Sequence, residues 1–143
     1  MSNSPDIENP SEFVLEEHLE GFLVKNWAQT DLATNYDIYE DEDFFGRQFQ
    51  TDTGPIDILA ISKDPKELLV IELKKGRAGD GVVSQIQRCM GYTKDEIAED
   101  DQTVSGIIIA FEDDQRIKRI LSVATNIAFY RYRINFSLNR IDH

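Results

Sequence analysis

Two apolar runs in this chain carry charges where a strand buried on both faces has none. Gly54-Pro55-Ile56-Asp57-Ile58-Leu59-Ala60 holds Asp57, and Leu69-Val70-Ile71-Glu72-Leu73-Lys74-Lys75 holds Glu72 and Lys74. Strands covered on both faces read as near-continuous Val, Ile and Leu. A charge in such a strand is costly unless it is paired or holds a metal. Glu72 and Lys74 are two apart, so a strand puts them on one face. Asp64-Pro65 marks a turn between the runs, and the resulting hairpin brings Asp57 beside them. Two carboxylates and an ammonium converging at a sheet surface suit a hard cation such as Mg²⁺ with a bound water. The plainer alternatives are a strand-edge Asp57 facing water and a same-face Glu72–Lys74 ion pair on an edge strand.

The remaining pattern supplies a frame for these runs. Asn9-Pro10 reads as a helix start, with Ser11 as an alternative cap. Val14, Leu15, Leu19, Phe22 and Leu23 then recur at helical spacing to about Asn26. Residues 36–40, 47–52, 55–62 and 67–74 read as strands, with a turn in the acidic run Glu40–Asp43. A helix from Gly79 or Asp80 carries Val82, Val83, Ile86, Met90 and Ile97, with Gly91 as a kink or an end. Val104 to Phe111 is the most strand-like run. Asp113 or Asp114 caps a helix through about Ala124. Residues 127–138 alternate, with Tyr130, Tyr132, Ile134, Phe136 and Leu138 on one face. The order is α-β-β-β-β-α-β-α-β, an α/β fold with a mixed β-sheet flanked by helices. The crossover from 67–74 to 104–111 makes those two strands parallel.

At 143 residues a single domain is the default. The expected division is a loose lead-in over 1–10 and one domain over 11–143. The single cysteine, Cys89, allows no internal disulfide. No apolar run reaches membrane-spanning length, and the polar, acidic N-terminus is unlike a signal peptide. A cytoplasmic protein with no membrane partner is expected.

The formal net charge of −12 runs against the surplus of Lys and Arg that phosphate binding uses. Its distribution matters more. Residues 1–45 hold one base, Lys25, against twelve acids. Within 73–94, Lys74, Lys75, Arg77, Arg88 and Lys94 face only Asp80, so the basic stretch coincides with the charged strand run. Alternatively these side chains form an ordinary solvated face.

The pattern Asp57…Glu72-Leu73-Lys74 resembles the signature of the PD-(D/E)xK nuclease superfamily. The wider text is similar to the catalytic domain of its NucS/EndoMS group: Gly46-Arg47-Gln48, Gly54-Pro55-Ile56-Asp57-Ile58-Leu59-Ala60, then Val70-Ile71-Glu72-Leu73-Lys74-Lys75-Gly76-Arg77, and a helix bearing Gln85. The likeness spans roughly residues 11–138. It implies a restriction-endonuclease-like αβββαβ core and a PD-(D/E)xK nuclease domain over 11–143.

The resemblance also implies roles. Asp57 and Glu72 would bind Mg²⁺, or Mn²⁺ in its place, with the Leu73 carbonyl as a further ligand. Lys74 would orient or deprotonate a water, or stabilise developing negative charge. Gln85 matches the first position of the family's Gln-x-x-x-Tyr helix, but Cys89 stands at the second. Tyr92, two turns after Gln85, is the candidate replacement, and Cys89 itself reads as a small core residue. Glu16 and Glu20 share a face of the first helix. The family's Glu-x-x-Leu pattern, with Leu19, selects Glu16 as the carboxylate turned toward the metal. His18 reads as a surface histidine. Arg47 contacts a phosphate or pairs with the acidic run, and Lys75, Arg77 and Arg88 are further nucleic-acid contacts.

The function this implies is a metal-dependent DNA endonuclease, in repair or defence. Group members carry an N-terminal DNA-binding and dimerisation domain, for which residues 1–9 leave no room. A homodimer or a partner protein supplying DNA binding is therefore expected. Two other classes compete. One is a non-catalytic nucleic-acid-binding or scaffolding module of the same fold. The other is an acidic DNA-mimic inhibitor, which would have no need for Asp57, Glu72 and Lys74 in strands.

Overall fold

The computed structural model describes residues 16–76, 78–133, 135 and 137–142, with side chains from His18 onward. Helix α1 spans Glu16–Lys25 and leads into two 3-10 turns, Trp27–Gln29 and Asp31–Thr34. Strands β1 (Tyr36–Ile38), β2 (Arg47–Phe49), β3 (Ile56–Ser62) and β4 (Glu67–Lys74) follow. Then come α2 (Val82–Tyr92), a π-helical turn (Thr93–Ile97), β5 (Thr103–Ala110), α3 (Gln115–Leu121) and β6 (Ile127–Arg131). Residues 1–15, which include the expected lead-in and helix start, lie outside the described residues.

One mixed sheet runs in the order β1-β3-β4-β5-β6, with β2 also on β3. β4 is antiparallel to β3 and parallel to β5, as the crossover requires. β6 is likewise parallel to β5. β4 is buried from Leu68 through Leu73, so both of its faces are covered. Leu59, Leu68, Val70, Ile108 and Ala110 pack against Val82, Val83, Ile86 and Cys89 of α2 and Ile117 of α3. On the other face, Ile58, Ala60, Leu69, Ile71, Leu73, Ile107 and Ile109 pack against Trp27 and Leu32. Each fully buried Ile or Leu contributes about 1.5–3 kcal/mol, and side chains alternating between these two cores are what pin the register.

Two glycines set distances in this frame. A Cβ on Gly106 of β5 would lie 2.8 Å from Met90 Sδ and 2.9 Å from Ile86 Cδ1, so its bare backbone lets α2 lie close to the sheet. A Cβ on Gly46 would lie 2.2 Å from the Leu59 carbonyl oxygen. There the chain between β1 and β2 is stitched to β3. The Tyr39 N–H donates to the Leu59 carbonyl at 2.9 Å, and the Leu59 N–H to the Gly46 carbonyl at 2.7 Å.

Several elements are shorter than the sequence pattern predicts. β2 stops at Phe49 rather than running to residue 52, because the chain turns over Thr51–Gly54 toward β3. α3 ends at Leu121, where the Ser122 hydroxyl donates to the Arg119 carbonyl. The alternation over 127–138 is not one long strand. β6 ends at Arg131, which pairs with Ala110, the last residue of β5. Of the expected outer face, Ile134 and Phe136 lie outside the described residues, and Leu138 is 88% exposed. α2 passes through Gly91 without a break. Among the described residues no helix is long and apolar enough to cross a membrane.

Candidate active site

The strand pairing brings the three charges together. Ile58 of β3 pairs with Ile71 of β4, and one further step of that register sets Asp57 opposite Glu72. By alternation both side chains share the α2 face with Leu59 and Val70. Asp57 Oδ2 accepts the Leu73 N–H at 2.8 Å, and Oδ1 accepts from Gln48 Nε2 at 3.1 Å. Glu72 is only 2% exposed. Lys74 Nζ stands 4.0 Å from Glu72 Oε2, on the same face two residues on.

Burial is the largest influence on Asp57 and lifts its carboxyl above the ordinary aspartate range. The Glu20 carboxylate pushes in the same direction, while the Leu73 amide, Gln48 and Lys74 pull back. The protein thus holds a carboxylate where its charged form is disfavoured. A nearby divalent cation reverses that penalty.

Glu20, which the family pattern did not select, packs beside this centre. Glu16 opens α1, and its side chain lies outside the described residues. One turn on, Glu20 is 3% exposed. Its Oε1 accepts from Arg47 Nε at 2.6 Å, and its Oε2 accepts from Gln48 Nε2. Gly21 leaves room for this pair, since a Cβ there would lie 3.1 Å from an Arg47 guanidinium nitrogen. The shared face of positions 16 and 20 was visible in the sequence; which turn meets the sheet end was not. Arg47 therefore pairs with α1 rather than with the Glu40–Asp43 run. Its side chain remains 42% exposed.

The other expected residues are arranged around this centre. Gln85 is half-buried on α2, one turn before Cys89. Cys89 is fully buried. Burial, then the charges of Glu72 and Asp57, push its thiol up, so it forms an inert wall behind the carboxylates rather than a nucleophile. Tyr92 packs on the core that α2 makes with the sheet. Lys75 is half-buried just past β4, and Arg88 is exposed on α2. Arg77 lies outside the described residues. His18 is exposed, as expected.

Among the described residues no three His, Cys, Asp or Glu side chains form a ready metal cluster. Glu20 is tied to the Arg47 guanidinium, while Asp57 and Glu72 meet across β3 and β4 as the candidate donor pair. Two hard carboxylates suit Mg²⁺, which takes one or two carboxylates and keeps several of its waters. The donor set fits. An apolar groove lies elsewhere, on the opposite face of the sheet, with a volume of about 660 Å³. Leu73 and Ile109 are among its lining, beside Leu23, Leu32, Tyr130 and Tyr132.

Comparison with known proteins places the chain in a family. The fold matches a repair endonuclease from Pyrococcus abyssi with a TM-score of 0.65 and 22% identity, over 91% of this chain and 50% of that one. It matches an EndoMS–dsDNA complex with a TM-score of 0.66 and 18% identity, over 96% of this chain and 51% of that one. The Endonuclease NucS of Methanocaldococcus jannaschii is 39% identical over 64 residues, which cover 45% of this chain and 23% of that protein. The chain thus spans about half the length of the two solved structures, and the matched stretch less than a quarter of the curated relative. Residues 29–135 match the model of the Endonuclease NucS C-terminal domain. That stretch holds all six strands with α2 and α3, and the chain belongs to the NucS C-terminal domain family.

Proposed function

We propose that this chain is the catalytic domain of a Mg²⁺-dependent DNA endonuclease acting in repair, hydrolysing phosphodiester bonds through its Asp57…Glu72-x-Lys74 site. The observation that carries the reading is the meeting of Asp57 and Glu72 across paired strands, with Lys74 on the same face. Membership of a nuclease family supports it, as does fold likeness to a repair endonuclease and to a protein solved with double-stranded DNA.

Asp57, Glu72 and the Leu73 carbonyl would hold Mg²⁺, with Mn²⁺ as a substitute. When bound, the cation supplies an acidified water and neutralises charge on the phosphate. Lys74, kept near Glu72, orients that water or stabilises the negative charge that develops on the phosphate. Gln85 adds a neutral polar group from α2, and Arg47 braces Glu20 while keeping an exposed guanidinium edge toward DNA. Lys75, Arg77 and Arg88 supply phosphate contacts that set register without reading sequence. A DNA-acting protein of this kind fits the cytoplasm. A homodimer, or a partner protein, would extend the grip on the duplex.

The test is cleavage of duplex, mismatched, flap and single-stranded DNA, and of RNA, with Mg²⁺ or with chelator. The wild-type protein should cut at least one DNA with Mg²⁺ and none with chelator. Asp57→Ala should abolish cutting. Full cleavage by Asp57→Ala would remove the assignment, and cleavage of RNA alone would replace the substrate class.

A further inference from the structure

Gln48 holds a backbone conformation that its residue type avoids. Its φ is 51°, in the left-handed region, where a side chain crowds its own carbonyl. Elsewhere among the described residues, positive φ is taken by Gly54, Gly76 and Gly79 and by Pro65 and Asn126, both in turns away from the carboxylates. A strained non-glycine residue beside a candidate active site asks what its side chain does.

The pairing answers in part. β2 meets β3 through Arg47↔Ile58 and Phe49↔Ile56, so Gln48 lies level with Asp57. Gln48 Nε2 donates to Asp57 Oδ1 at 3.1 Å and also to Glu20 Oε2. One amide –NH₂ carries two hydrogens, one for each carboxylate. A lysine or arginine could join the same two oxygens, but its charge would repel an incoming cation. The amide joins two anions without cancelling either. Arg47, one residue earlier, puts its charge on the far oxygen of Glu20, away from Asp57.

We propose that Gln48 is a positioning residue for the metal site: its amide fixes the Asp57 carboxylate against Glu20, and the left-handed backbone is kept because it delivers that amide. The role rests on the reading of Asp57 and Glu72 as metal ligands. Partners that orient a metal-binding side chain typically change metal affinity about 10–100-fold when removed.

The experiment is Mn²⁺ binding to the full chain by calorimetry, paired with thermal unfolding in chelator, for wild type and Gln48→Gly. Glycine suits the left-handed position, so its unfolding temperature should be unchanged or higher. Its Mn²⁺ affinity should nonetheless fall about 10–100-fold. If Gln48→Gly does not fold, Gln48→Asn is measured in its place. Asparagine tolerates positive φ, but its amide is one methylene too short to span both carboxylates. Unchanged Mn²⁺ affinity in the folded variant overturns the role. So does a loss of affinity that comes together with lower stability, because the residue then merely supports β2. A wild-type protein that binds no Mn²⁺ overturns the metal reading itself and this role with it.

Discussion

Asp57 carries an electrostatic cost in the metal-free protein, and that cost is measurable. Its folded pKa lies above its unfolded one, through burial first and the Glu20 carboxylate second. A group raised in this way stabilises the fold while it is protonated. That contribution is complete below the ordinary aspartate value of about 3.9 and is lost as pH rises through the folded value. Asp57→Asn cannot ionise and escapes the loss. In chelator, its unfolding temperature should therefore exceed that of wild type at neutral pH, with the gap closing toward pH 4. The same variant should not cleave DNA with Mg²⁺. Thermal unfolding from pH 4 to pH 8 checks the first outcome, and a variant no more stable than wild type at pH 7 would show that burial is not penalising this carboxylate. Much of the candidate site at this scale was legible as a convergence of charges, because a charge inside an apolar strand has few structural excuses. Asp57, Glu72 and Lys74 announced themselves in that way. Glu20 and Gln48 did not. A helix glutamate looks solvated until the sheet end it meets is known. A glutamine gives no sign in sequence that it will adopt positive φ.

The elements divide along the same line. β4 was readable end to end and β5 to within one residue at each end, since strands covered on both faces are written in unbroken apolar residues. β2 and β6 were over-read. Alternation predicts which face a residue takes, but strand length is decided by the partner, and β5 offers β6 nothing beyond Ala110. The glycine that seats α2 was also silent, although its effect is large. Gly106→Val puts two methyl groups where Met90 Sδ and Ile86 Cδ1 already sit. Overpacking of this kind costs about 1–3 kcal/mol, and denaturant unfolding should show a loss in that range. An unchanged midpoint would mean that Met90 swings aside and α2 keeps its seat.

The chain is acidic overall, and one of its basic stretches, residues 73–94, holds Lys74 of the proposed site. The −12 net charge disfavours general adhesion to polyanions, so the proposed DNA contact would rest on local geometry or on a second subunit. β6 is the last strand of the sheet, and Tyr130 on it is 43% exposed. Unpaired strand edges invite a second chain, and a stable interface would bury at least about 1,000 Å². Sedimentation at micromolar concentration should reveal a species at twice 16.4 kDa. A 16.4 kDa species alone would refute the homodimer and leave the nuclease reading intact.

Leu73 belongs to two worlds at once. Its N–H holds Asp57, while its side chain lines the apolar groove on the reverse of the sheet. The strand is therefore a thin partition at this residue, and a change on one side has a direct covalent path to the other. Leu73→Ala should cost about 2–5 kcal/mol of stability and also slow cleavage at temperatures where the protein is fully folded, although no charged group of the site is altered. Cleavage at the wild-type rate by the folded variant would show the partition to be rigid. If the rate falls, a small apolar molecule lodged in the groove would act on the proposed site from the opposite face of the sheet.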